Sequence, residues 1–180
     1  MPDLTVRQSV GLLYRPETGL YTREALLDAL ARYVSLGDRL KQPVTVMVLE
    51  CDGYAQEVAL HGVAFKEAFW VALAQRLQMR LRGYDLLGHW SEGRLLAVLP
   101  GSDLGGSLVL AQDLKEAVGH EPLNVLDQWI LVTLSVALCG ATPTAERPLL
   151  DAMPDLLVGA ERALETSADE GRDRVAVAPL

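Results

Sequence analysis

The chain has 180 residues, half of them hydrophobic, and a net charge of −8, which describes one domain with a sizeable core and excludes disorder for its body. So acidic a chain repels a phosphate backbone, and no Lys/Arg stripe with interleaved aromatics occurs, so nucleic-acid binding is not expected. A small anionic ligand stays open, because two or three local cations suffice for one.

In chain order, residues 1–16 read as a lead-in, with Leu4 to Tyr14 expected to pack as a short helix on the domain or on a partner. Residues 17–180 form the domain. Thr22 is a candidate N-cap for a helix from Arg23 to about Ser35, with Leu26, Leu27, Leu30 and Val34 at helical spacing. Pro43 opens the β-branched run Val44 to Leu49, a buried strand. Phe65 to Leu81 is the clearest helix, with Trp70, Leu73, Ala74, Leu77 and Leu81 on one face. A hairpin follows, Asp85–Trp90 and Arg94–Leu99, around the polar turn Ser91-Glu92-Gly93, where glycine supplies the positive φ. Ser102 or Asp103 can cap a helix from Leu104 to Val118. Trp129 to Leu138 reads as one long strand, ended at Gly140-Ala141-Thr142-Pro143-Thr144. The last helix is expected to begin near Pro154 and to stop before Gly171. Arg174 to Val177 closes as a short strand.

This order predicts an α/β sandwich with a central mixed sheet of about five strands flanked by helices. No apolar stretch approaches the ~20 residues needed to span a bilayer. The N-terminus, Met1-Pro2-Asp3-Leu4, lacks a charged segment followed by an apolar one, so cytoplasmic placement without a membrane partner is expected. Cys51 and Cys139 lie in apolar runs and read as reduced core thiols.

Several fragments carry a resemblance in the same order. They are Thr18-Gly19-Leu20-Tyr21-Thr22-Arg23, the hairpin with Ser91-Glu92-Gly93-Arg94-Leu95, Thr133-Leu134-Ser135-Val136-Ala137, Ala160-Glu161-Arg162-Ala163-Leu164 and Gly171-Arg172-Asp173-Arg174-Val175. Together they resemble the GGDEF family, the bacterial diguanylate cyclase domains that join two GTP molecules into cyclic di-GMP, and they imply its palm-type fold.

The resemblance also implies where that chemistry would sit. The family holds divalent cations with an Asp at the end of the first strand and an acidic residue at the third signature position. These places fall on Glu50 and Gly93. Arg94 takes the fourth position, where the family has another carboxylate. The guanine-reading Asn falls on Val58, its companion Asp on Glu67, and the triphosphate Lys on Ala168, while Arg172 remains. Loss of cyclase activity is therefore expected, with no cofactor. Arg94 is expected to pair with Glu50 or Glu92 across the hairpin mouth. Glu50 and Asp52 also read simply as a solvated loop start.

One ligand site resembles the family's product-binding Arg-x-x-Asp motif, namely Arg82 and Asp85 of Arg82-Gly83-Tyr84-Asp85. Lys115 stands where a third basic side chain completes the site. Arg presents a planar fork to guanine O6 and N7, and a carboxylate accepts from N1 and N2. Alternatively, Arg82 merely favours a helix C-terminus and Asp85 a turn. The expected function is a catalytically inactive domain acting as a cyclic di-GMP receptor or regulatory module. The alternative is a protein-interaction or self-association scaffold without a nucleotide.

Overall fold

Strand β1 (Val44–Asp52) is the axis of the fold. Its β-branched and long apolar side chains point alternately to two faces, and both faces are covered, so nearly every position is buried. Val44, Val46 and Val48 enter one core, and Met47, Leu49 and Cys51 enter the other. The computed structural model describes residues 13–179. The lead-in expected from Leu4 to Tyr14 falls mostly outside them.

Around β1 the chain places α1 (Arg23–Leu40), α2 (Tyr54–His61), α3 (Val63–Gln78), β2 (Leu86–Ser91), β3 (Arg94–Pro100) and α4 (Leu104–Gly119). It continues through β4 (Leu123–Val125), β5 (Gln128–Ile130), β6 (Thr133–Ala141), α5 (Leu149–Asp169) and β7 (Val175–Val177). The five-stranded sheet has the order β2-β3-β1-β6-β7. β1 is antiparallel to β3 and β6, and β7 is parallel to β6. The expected mixed sheet of about five strands is thus found. Helices α1 and α5 bury Leu26, Leu30, Val34, Leu156 and Leu164 on one face. Helices α3 and α4 bury Phe65, Phe69, Leu73, Leu77 and Leu114 on the other.

Five details differ from the sequence reading, the first being that α1 runs to Leu40 rather than to about Ser35. A separate helix, α2, precedes α3, and the two meet at Gly62 with φ +84°. The helix expected to run to Leu81 ends at Gln78. The long strand expected from Trp129 breaks after Ile130, because β5 turns back onto β4 as a small hairpin. Its turn residues Leu126 and Asp127 hold φ of 51° and 62°, a geometry that Asp tolerates and Leu rarely adopts, so the sequence carried only half of a turn signal there. Helix α5 begins at Leu149 rather than near Pro154, which lies inside it. Asp38 of α1 accepts from the Leu149 and Leu150 amides at 2.6 and 3.2 Å, a cap supplied by another helix in place of a local one.

Candidate functional site

The antiparallel register places Glu50 at the end of β1 between Arg94 on β3 and Ser135 on β6, and Asp52 beside Thr133. The Arg94 Nε donates to Glu50 Oε2 at 2.6 Å, and Arg172 donates to Glu50 Oε1. Of the two partners expected for Arg94, the structure selects Glu50. Asp52 is nearly buried and accepts from Thr133 Oγ1 at 2.7 Å, Ser135 Oγ at 2.8 Å and the Asp173 amide at 3.1 Å. Arg172 Nη1 stands 3.4 Å from it. The pair Glu50 and Asp52 is therefore not a solvated loop start. It ties the 172–173 segment to the mouth of the hairpin.

Burial works to raise the Glu50 carboxyl, but the hydrogen bonds from Arg172 and Arg94 outweigh it and leave the group below the usual carboxylate range. Both of its oxygens are engaged by guanidinium cations. Gly93 offers no side-chain ligand, and Arg94 brings a positive charge to the place where a divalent cation would sit. The residues present do not fit such a cation.

Beneath the turn, Tyr54 packs so close to Gly93 that a Cβ on that glycine would lie 3.4 Å from the ring. The Tyr54 hydroxyl donates to Glu92 at 3.1 Å and accepts from Trp70 Nε1 at 2.9 Å. Lys66 Nζ binds both Glu92 oxygens at 2.8 and 3.0 Å, so Glu92 is already paired with a cation. Val58 on α2 packs against the core beneath it, while Glu67 is exposed. A cleft of about 690 Å³ remains between Glu50, Tyr54, Glu92, Arg94 and Arg172.

On the same side of the hairpin as Glu92, and lining one cleft with it, His89 is half-buried. Its Nε2 lies 3.2 Å from Thr18 Oγ1, and its ring meets Trp70 edge-on at 5.4 Å. Burial, with Arg15 nearby, lowers its pKa from 6.5 to about 4. The unfolded chain therefore takes up this proton before the folded one, so His89 contributes stability above pH 6.5 that is lost as pH falls towards 4. The melting temperature is expected to drop over that window, and His89→Gln is expected to flatten the drop. An unchanged slope in the variant would assign the pH response elsewhere.

A second cleft, of about 740 Å³, opens where the end of α3 meets the start of α4. It is lined by Arg82 and Asp85, with Arg80, Asp103, Ser107 and Asp113. Asp85 Oδ2 accepts from the Arg82 amide at 2.8 Å, and Arg82 Nη1 donates to Tyr84 Oη at 3.1 Å. Asp85 Oδ1 and Ser107 Oγ are buried here with no hydrogen-bond partner among the described residues. Burial raises the Asp85 carboxyl, and the Arg82 amide and charge only partly oppose it.

Of the three predicted site residues, the structure thus brings Arg82 and Asp85 together. Lys115 does not line this cleft. Its ammonium pairs with Asp173 at 2.9 Å, because two helical residues lie roughly 200° apart and Asp113 takes the cleft-facing side. Sequence reasoning missed Arg80, Ser107 and Asp113. The first stands two residues before the motif and was the one available signal.

The chain matches the family described as diguanylate cyclase, GGDEF domain, over residues 14–174. It belongs to the GGDEF family. No curated protein sequence matches it. Among solved structures, it resembles the Pseudomonas aeruginosa diguanylate cyclase SiaD in complex with its activator SiaC, at 24% identity and a TM-score of 0.82. That match covers 98% of this chain and 65% of the SiaD chain, so this chain spans about two thirds of that relative. The GGDEF domain of FimX from the same organism matches at 20% identity and a TM-score of 0.81, over 91% of this chain and 98% of that one. The GGDEF domain of DgcB from Caulobacter crescentus, in complex with c-di-GMP, matches at 15% identity and a TM-score of 0.80, over 92% of this chain and 95% of that one. Among the described residues, no helix is long and apolar enough to cross a membrane.

Proposed function

We propose that this chain is a catalytically inactive GGDEF domain that acts as a cyclic di-GMP receptor or regulatory module through Arg82 and Asp85. One observation carries the reading. Among the described residues, Asp85 Oδ1 is a buried acceptor without a partner, on a residue that lines a cleft beside Arg82. Such an atom costs about 1–3 kcal/mol while unsatisfied, and a guanine N–H donor would relieve that cost. The loss of cyclase chemistry rests on Glu50 held between two arginines and on Gly93 and Arg94 where the family has carboxylates. A receptor needs no metal chemistry, so the one function survives without the other.

Calorimetric titration with cyclic di-GMP tests the reading. Saturable binding is expected for the natural chain, with at least about a tenfold loss in Arg82→Ala. Arg82→Lys is expected to lose nearly as much, because an ammonium does not reproduce the planar fork. Binding unchanged in Arg82→Ala would place the ligand elsewhere, and no heat at high micromolar ligand would refute the reading.

The second reading is a protein-interaction scaffold. It is favoured by the β4–β5 hairpin, where Leu126, Trp129 and Leu131 are all exposed, Trp129 to 70%. On this reading a protein partner or a second copy covers the hairpin, and cytoplasmic placement is proposed in either case.

A further inference from the structure

The Arg82 cleft contains its own competitor for ligand. Two arginines, Arg80 and Arg82, face three aspartates, Asp85, Asp103 and Asp113. Two of those carboxylates already have backbone partners. Asp103 caps α4 by accepting from the Gly106 amide at 2.8 Å, where the helix N-terminus offsets its charge. Asp85 accepts from the Arg82 amide. Asp113 differs, because it lies in the middle of α4, where neither helix end compensates it. Its carboxylate is held by Arg80 alone among the described residues, through one contact of 2.7 Å from Nη1 to Oδ1.

This contact is single, and both side chains are nearly half exposed, at 43% and 47%. An ion pair so exposed is held weakly and opens readily. Arg80 lines this cleft and the neighbouring one beside Arg76 and Glu116, and it uses one guanidinium nitrogen on Asp113, which neutralises its charge. A dianionic ligand that enters must either take Arg80 from Asp113 or meet an excess of negative charge. Lys115, bound to Asp173 on the other side of the helix, does not relieve that excess.

We infer that Arg80 is the second cation of this ligand site and that Asp113 sets its affinity by competing with the ligand for Arg80. The inference rests on the cyclic di-GMP reading. A carboxylate that must release a guanidinium before a phosphate can use it lowers affinity without abolishing binding, which suits a receptor tuned to respond only above a threshold concentration. It also discriminates by charge, because a neutral guanine compound gains nothing from freeing Arg80.

Calorimetric titration with cyclic di-GMP at low and at raised salt tests this on the full chain, with far-ultraviolet circular dichroism showing that each variant is folded. Asp113→Asn is expected to tighten binding about fivefold at low salt, the gain shrinking as salt rises. Arg80→Ala is expected to weaken it about tenfold. The double variant is expected to bind more weakly than the natural chain, since the Asp113→Asn gain comes mainly from a freed Arg80. Affinities unchanged by Asp113→Asn and Arg80→Ala, with binding still lost in Arg82→Ala, would overturn the inference and leave the receptor reading intact. Weakening by Lys115→Ala in place of Arg80→Ala would overturn it as well. Absence of binding in every variant would refute the receptor reading and this inference together.

Discussion

Incubated with GTP and Mg²⁺, the protein is expected to form no cyclic di-GMP above background. The physical reason is the charge at the end of β1. Transfer to an α-phosphate builds negative charge that divalent cations neutralise, and here Glu50 already serves two guanidinium cations while Arg94 adds a like charge at the cation's place. Each lost electrostatic stabiliser of a transition state costs about 10²–10³ in rate, so two or more put turnover on the order of 10⁵-fold down. Arg94→Glu alone is not expected to restore activity, because Gly93 and Val58 still lack the groups the family uses. Product detection by chromatography checks both statements. Metal-dependent cyclic di-GMP from the natural chain would contradict them.

Asp52→Ala is expected to cost about 3–5 kcal/mol of stability, on the order of 10 °C in Tm. Asp52 is nearly buried and receives Thr133, Ser135 and the Asp173 amide within 2.7–3.1 Å. Its removal strands the Thr133 and Ser135 hydroxyls and cuts a tie between the 172–173 segment and β1, while Ser135 on β6 still accepts from the Asp173 amide at 3.0 Å. Asp52→Asn keeps the shape but puts an amide where only acceptors are wanted, so about half that loss is expected. A thermal melt followed by circular dichroism measures both. An alanine variant melting within about 2 °C of the natural chain would show that the cluster carries little of the fold's stability.

Much of the fold was legible because local chemistry and tertiary packing agree. Thr22 caps α1, accepting from the Ala25 amide, and Asp103 caps α4. The valines of β1 mark a strand buried on both faces. Gly93, with φ +77°, marks the hairpin turn. What was not legible depends on partners distant in the chain. The cap of α5 comes from Asp38, 111 residues away from Leu149, so in the sequence alone the proline at 154 marks the helix start. The β4–β5 turn puts Leu126 in a left-handed geometry that only its neighbour Asp127 advertises.

The same division holds at the site. Arg82 and Asp85 are three residues apart, and that spacing is enough to bring them together. Whether Lys115 or Asp113 joins them depends on the rotation of α4 against α3, which packing decides. For Arg94 the sequence left Glu50 and Glu92 open as partners, and the antiparallel β1–β3 register selects Glu50. The second arginine on Glu50, Arg172, was not legible in the sequence, because it comes from a segment 122 residues further along the chain.

The most direct test of the central claim is amide-resolved NMR during titration with cyclic di-GMP in the presence of a metal chelator. The account predicts saturable shifts confined to residues 80–85 and the 103–113 stretch of α4, with residues 50–54 and 91–94 unmoved. Shifts centred on Glu50 and the Ser91–Arg94 turn, or none at any ligand concentration, would contradict it.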